Sequence, residues 1–249
     1  MSGHSKWATI KRKKAATDQA RGKLFSKLIK EITIAARHGG GDAEANPRLR
    51  TAILAAKNAN MPAANIERAV KRGSGGLEGV HYEETHYEGY APGGVAVMVE
   101  VATDNRNRTA GEIRNLFTRY GGSLAEAGAV AYLFKVRGLV LVEKSAIAEE
   151  ALLELALEAG AEDVRTEGEA YEIETSPAEL EAVKAALTTH GVPIQSAELT
   201  KLASQHVDLD ERGAGTVLKL VDALEDHDDV QKVYANFNLS DEVMAKLSH

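Results

Sequence analysis

Lysine and arginine dominate the start of this chain, and their chemistry is the binding of anions. Lys6, Lys11, Arg12, Lys13 and Lys14 crowd around Trp7, the only tryptophan. Ammonium and guanidinium groups neutralise phosphates without reading base sequence, and an indole can stack on an exposed base. Trp7 could equally cover a small apolar core, and the sequence leaves both roles open. Arg21, Lys23, Lys27, Lys30 and Arg37 continue the basic run. The first 80 residues hold 16 Lys and Arg against 6 Asp and Glu, whereas the remainder hold 14 against 31. The net charge of -7 therefore conceals a basic part joined to an acidic one, the pattern of an electropositive binding surface.

A second candidate lies in Asp104-Asn105-Arg106-Asn107-Arg108-Thr109. Arg106 and Arg108 fall at the start of an expected helix, where free backbone N–H groups favour phosphate and the macrodipole disfavours unpaired cations. Phosphate contact and structural ion pairing are both open for these two arginines. Other chemistry finds little support. The chain has no Cys, which excludes disulfides, thiolate nucleophiles and thiolate metal sites and suits a reducing cytoplasm. His81, Glu83 and His86 lack the helical spacing of a zinc motif and read as a surface strand. Gly73-Ser74-Gly75-Gly76 lacks the Lys-Ser/Thr ending of a phosphate loop and reads as a linker. Gly89-Tyr90-Ala91-Pro92-Gly93-Gly94 is followed by a strand and reads as a turn, not a dinucleotide fingerprint. No catalytic constellation, metal site or cofactor site is expected. There is neither a secretory pattern nor a membrane-length apolar run, so the expectation is a cytoplasmic protein without membrane contact.

These cations need elements to hold them. Asp18 can cap a helix running to about His38, with Leu24, Phe25, Leu28, Ile29, Ile32, Ala35 and Ala36 on one face. Lys23, Lys27, Lys30 and Arg37 fall on the opposite side, so the period predicts a packed face and an exposed cationic ridge. Asn46 and Pro47 open a second helix ending near Asn60, and a third runs from Pro62 to Gly73. Beyond Val80 the pattern turns to strands: Tyr82–Tyr90, the alternating Val95, Val97, Val99 and Val101, a helix to about Tyr120, and a strand over Val130–Phe134. Residues 136–204 read strand, helix, strand, strand, helix, strand, the ferredoxin-like order. A final helix (214–224) and strand (230–237) would complete the sheet begun at Tyr82. The expected fold is multi-domain α+β. It comprises a basic three-helix domain at 1–79, an α+β domain from 80–135 plus 205–249, and a ferredoxin-like domain at 136–204 inserted into it. The inserted unit has five basic against fourteen acidic residues and lacks the aromatic signature of an RNA-binding sheet.

Gly3-His4-Ser5-Lys6-Trp7, Arg21-Gly22-Lys23-Leu24-Phe25, Asn60-Met61-Pro62 and Asn65-Ile66-Glu67-Arg68-Ala69 closely resemble the YebC-like family. So do Gly89–Gly94, Asp104–Thr109 and Ala235-Asn236-Phe237. Ser2 and Ala129 depart from the usual family residues. The resemblance implies an all-helical domain and two α+β domains, and a non-enzymatic cytoplasmic protein. Members are generally described as probable DNA-binding transcriptional regulators. A mitochondrial relative is a translational activator, and bacterial relatives are linked to ribosomes stalled on proline-rich nascent chains. The expected partner is thus nucleic acid, either DNA or rRNA, with the ribosome behind the second choice, and the chain is expected to be a monomer. DNA reading by base edges would need a groove-entering element, for which no helix-turn-helix spacing is evident.

Overall fold

A computed structural model describes residues 18–78 and 80–247. Three helices open it: α1 (Asp18–Gly39), α2 (Pro47–Asn58) and α3 (Ala63–Gly73). None could stand alone, and they share one core of Ile32, Ala35 and Ala36 from α1 with Leu49, Ala52, Ala56, Ile66 and Ala69. Asn46 joins the elements. Its side chain accepts from the Leu49 amide at 3.1 Å, capping α2, and donates to the Ala35 and Gly40 carbonyls at 2.8 and 2.9 Å. α3 crosses α1 so closely that a Cβ on Gly73 would strike the Thr33 carbonyl oxygen, so this glycine is a packing requirement.

A first sheet follows, in the order β3-β1-β2-β9. It contains β1 (Glu83–Ala91), β2 (Val95–Thr103), β3 (Ser123–Leu124) and β9 (Val230–Ala235), with α4 (Arg106–Arg119) and α7 (Glu211–Glu225) on one face. β2 is central and apolar on both sides. Val95, Val97, Val99 and Val101 meet Ile113, Phe117, Val217 and Leu220, while Ala96 and Met98 meet Phe134 and Tyr234. A second sheet has the order β5-β6-β4-β7, all antiparallel. Its members are β4 (Phe134–Glu143), β5 (Ala161–Glu167), β6 (Ala170–Thr175) and β7 (Ile194–Ala203), with helices α5 (Glu149–Glu158) and α6 (Leu180–Thr189) between them. That is the ferredoxin-like arrangement. It lies in sequence between β3 and β9 of the first sheet. Leu152, Val183 and Leu187 pack on Val140, Val142 and Ile173. On its other side Arg137 pairs with Glu174 at 3.0 Å, ion pairs standing where a base-stacking sheet would place aromatics.

Two strands differ from the sequence reading. Residues 131–133 form a short 3-10 turn, and β4 begins only at Phe134. The cause is Glu88, a buried carboxylate that accepts from the amides of Gly128, Val130 and Ala131 at 2.7, 2.7 and 2.8 Å. Amides so engaged cannot join a ladder. The last strand breaks at Asn236, whose amide and side-chain oxygen both bond to Ala96. The chain then switches to β10 (Phe237–Asn238), parallel to β8 (Val207–Asp208), and ends the described region with α8 (Asp241–Leu247), which sequence periodicity did not suggest.

Candidate nucleic-acid interface

Lys6, Trp7, Lys11, Arg12, Lys13 and Lys14 lie outside the described residues. Of the remaining expected contacts, Arg21 is exposed in the first turns of α1. The lysine ridge is where expectation and geometry part. Lys23, Lys27 and Lys30 do share one stripe of α1, but the stripe faces the loop joining α7 to β9. Lys27 Nζ donates to the Glu225 carbonyl at 2.6 Å, at the negative end of α7. Lys30 Nζ donates to the Asp228 carbonyl at 2.9 Å, to the Ala102 carbonyl at 3.3 Å and to Asp229 Oδ1 at 2.7 Å. Lys23 meets Asp226 at 3.5 Å. The ridge is thus paired with an acidic segment of the chain itself, with Lys30 11% exposed and Lys23 33% exposed. The physical reason is plain: Glu225, Asp226, Asp228 and Asp229 offer the nearest oxygens to a row of ammonium groups.

Asp229 is the centre of this contact. Its side chain is 7% exposed and also accepts from Arg108 at 2.7 Å and from the Thr109 hydroxyl at 2.8 Å. Burial alone would raise its pKa, but Lys30, Arg108 and Thr109 outweigh that and hold the carboxyl well below the usual range. Arg108 bonds Asp104 as well, at 2.9 Å, so of the two roles left open for it the geometry displays ion pairing. Arg106 is exposed, and among the described residues no carboxylate lies within salt-bridge distance of it. Its carbonyl accepts from Tyr87 at 3.1 Å. Arg37 is half-buried and donates to His81 Nδ1 at 2.8 Å. His86 sits 3.2 Å from Glu88, so His81 and His86 serve different partners. Glu112, His227 and Asp229 approach one another as three ligand-type groups, but Lys30 and Arg108 already hold the Asp229 oxygens. A cation there would face two resident positive charges.

The open cations of the helical unit are ones the sequence reading did not single out. Arg50 and Lys57 on α2, and Arg68, Lys71 and Arg72 on α3, are all exposed, and none has an acidic partner among the described residues. Arg50, Arg68 and Lys71 fall on the side of their helices away from the buried residues, Lys57 and Arg72 flank the buried stripe, and Arg50 also donates to the Ala43 and Glu44 carbonyls at 3.3 and 3.2 Å. The same periodicity that exposed the α1 ridge would have found them. Arg48 differs from its neighbours, being clamped between Glu31 at 2.8 Å and Glu84 at 2.6 Å.

Geometry thus defines a class: a three-helix unit with exposed cations, followed by two β-sheets that carry helices, with no described helix long and apolar enough to cross a membrane. Comparison with known proteins gives the family. The chain matches the TACO1/YebC protein N-terminal domain over residues 5–76 and the TACO1/YebC second and third domain over residues 82–237. It belongs to the TACO1/YebC family. It is 58% identical to a protein of Dictyoglomus thermophilum and 57% identical to one of Persephonella marina, each aligned over 100% of both chains and each named "Probable transcriptional regulatory protein". Among solved structures, a conserved hypothetical protein of Aquifex aeolicus, Aq1575, is 54% identical with a TM-score of 0.81, covering 91% of this chain and 94% of that one.

Proposed function

We infer that the protein is a non-enzymatic, cytoplasmic, nucleic-acid-binding regulator of gene expression, working as a monomer without cofactor, with its basic helical domain gripping phosphates. The observation that carries this is the set of five exposed cations on α2 and α3 that lack acidic partners. Folded proteins commonly neutralise surface cations locally, and exposed cations left without acids on two helices of a small domain are an electrostatic footprint. The basic tip with Trp7, together with Arg21 and Arg106, extends the same reading. It carries with it the division of the chain at 1–79, 80–135 plus 205–249, and 136–204. The relatives' names, "Probable transcriptional regulatory protein", support transcription as the setting, with DNA as the nucleic acid of that reading. RNA on the ribosome is the second reading, and one observation favours it. The open cations are spread over two helices instead of lining one helix that could enter a major groove, which suits a target recognised by shape and phosphate position.

The test is to isolate the protein from cells at moderate salt and sequence the nucleic acid that accompanies it, while a parallel lysate is sedimented through sucrose. A discrete set of promoter fragments supports the transcription reading. Co-sedimentation with ribosomes and recovery of rRNA supports the translation reading. Absence of nucleic acid from both, with the protein folded, sinks the proposal.

A further inference from the structure

The stripe of Lys23, Lys27 and Lys30 has the spacing of a phosphate-binding row and an occupant supplied by the same chain. We propose that the segment 225–229 is an internal phosphate mimic, and that nucleic acid displaces it as the helical unit swings away about the connection from Ser74 to Tyr82. This rests on the nucleic-acid reading above and adds its regulation.

Three observations support it independently of that reading. The first is fit. Lys23 to Lys30 spans about 10 Å of helix axis, the length taken by about three phosphates of one strand. Against it lie the carboxylates of Asp226 and Asp229 and the carbonyl oxygens of Glu225 and Asp228, at 2.6 to 3.5 Å. The second is the nature of the join. The core of the helical unit closes on its own residues. Several of its contacts with the first sheet and its loops are charged or polar: this row, Arg37 with His81, Arg48 with Glu84, and Lys30 over the Tyr82 ring at 5.4 Å. Beside them a cleft of about 900 Å³ opens, lined by the polar Lys23, Lys30, Arg108 and Asp226 and by the apolar Ile29 and Leu116, among others. A polar join of this kind permits relative motion where an apolar one would not. The third is the connection. Gly75, at a left-handed φ of 84°, closes the end of α3 with the Gly76 amide donating to the Lys71 carbonyl at 2.8 Å, and the described residues from there to β1 form neither helix nor strand.

When the row is covered, α2 and α3 still present their open cations, so first contact with a polyanion needs no opening. Tight binding then recruits the lysine row, and the acidic segment competes with phosphate for the same ammonium groups. The competition makes the protein selective for continuous, dense phosphate over scattered anions.

Because the chain has no Cys, Lys23→Cys with Asp226→Cys creates a unique pair of thiols across the join. A bifunctional thiol reagent with a reducible bond locks it. Binding is read with a fluorescent single-stranded RNA and a fluorescent mixed-sequence DNA duplex. The locked protein is expected to bind at least about tenfold more weakly than the same sample after reduction. Lys27→Ala with Lys30→Ala in the unlocked chain should lower the slope of log affinity against log salt by about 2. Hydrogen exchange supplies a reading free of substitutions: amides of residues 225–229 in the natural chain should exchange faster once RNA is added. Equal affinity when locked and reduced, with unchanged exchange, overturns the displacement while leaving α2 and α3 as the binding side. Failure of the natural chain to bind either probe overturns the nucleic-acid reading, and displacement with it.

Discussion

The helical unit has two basic sides that look alike in sequence and differ in the fold. On α1, Lys23, Lys27 and Lys30 are bonded to the segment 225–229. On α2 and α3, Arg50, Lys57, Arg68, Lys71 and Arg72 face outward without acids. The first side spends its charge on holding two parts of the molecule together, and the second keeps its charge for a partner. The lesson is that a count of lysines locates a basic element but not a basic surface, because burial and the nearest carboxylate decide which charges remain. Each side can be broken separately, with different readouts.

The largest effect should come from Asp229→Ala on the covered side. Removing this carboxylate leaves Lys30, whose side chain is 11% exposed, without its ionic partner, and takes one acceptor each from Arg108, which keeps Asp104, and from Thr109. Breaking a buried pair from one side costs about 3–5 kcal/mol, which urea unfolding would register as a lower midpoint. A loss below about 1 kcal/mol would mean that the contact is far more hydrated than its geometry implies. On the open side, the triple change Arg68→Ala, Lys71→Ala, Arg72→Ala should leave stability nearly unchanged. It should cut the salt slope of nucleic-acid affinity by about 3, uniformly across sequences. The opposite pattern, with stability falling and affinity unmoved, would exchange the roles of the two sides.

An acid titration sharpens the contrast between paired and open charge. Glu88 is pushed up by burial but pulled down further by the amides of Gly128, Val130 and Ala131, so it ends below its ordinary value of 4.5, and Asp229 is likewise depressed. A depressed carboxylate contributes stability that is complete above its unfolded pKa and is lost as pH falls toward the folded value. The protein should therefore lose stability as pH drops below about 4.5. Glu88→Gln should be about 2 kcal/mol weaker at neutral pH, because an amide N–H then faces backbone donors, and should show a shallower acid loss. An equally steep acid loss in that variant would place the titration elsewhere.

Much of this was legible before the structure. The three amphipathic helices, the Asn46 cap, the valine alternation of β2 and the ferredoxin-like order all follow from local periodicity and capping, which act over a few residues. What was not legible is long-range. Nothing near Lys30 in sequence announces Asp229, and nothing near Val130 announces that Glu88 will claim its amide. The break at Asn236 likewise depends on Ala96. The open cations of α2 and α3 belong to neither class. They obey a visible period, but a residue count weights the denser lysines of α1 above them.

Arg48 marks the lower limit of what pairing can do, and so calibrates the comparison. It bonds Glu31 and Glu84 with geometry as good as that of Lys30 with Asp229, and both glutamates strengthen its charge. Yet its side chain is 40% exposed, against 11% for Lys30. Solvent screens an exposed pair, and ordering two long side chains opposes it, so such pairs contribute about 0.2–1 kcal/mol. Arg48→Ala should therefore lower stability by about 0.5 kcal/mol, with the loss vanishing at high salt. It should also ease separation of the helical unit from β1, because Glu84 is the partner beyond the first core. If its cost approaches that of Asp229→Ala, exposure is not what separates the strong contacts of this join from the weak, and the contrast between covered and open charge would need another cause.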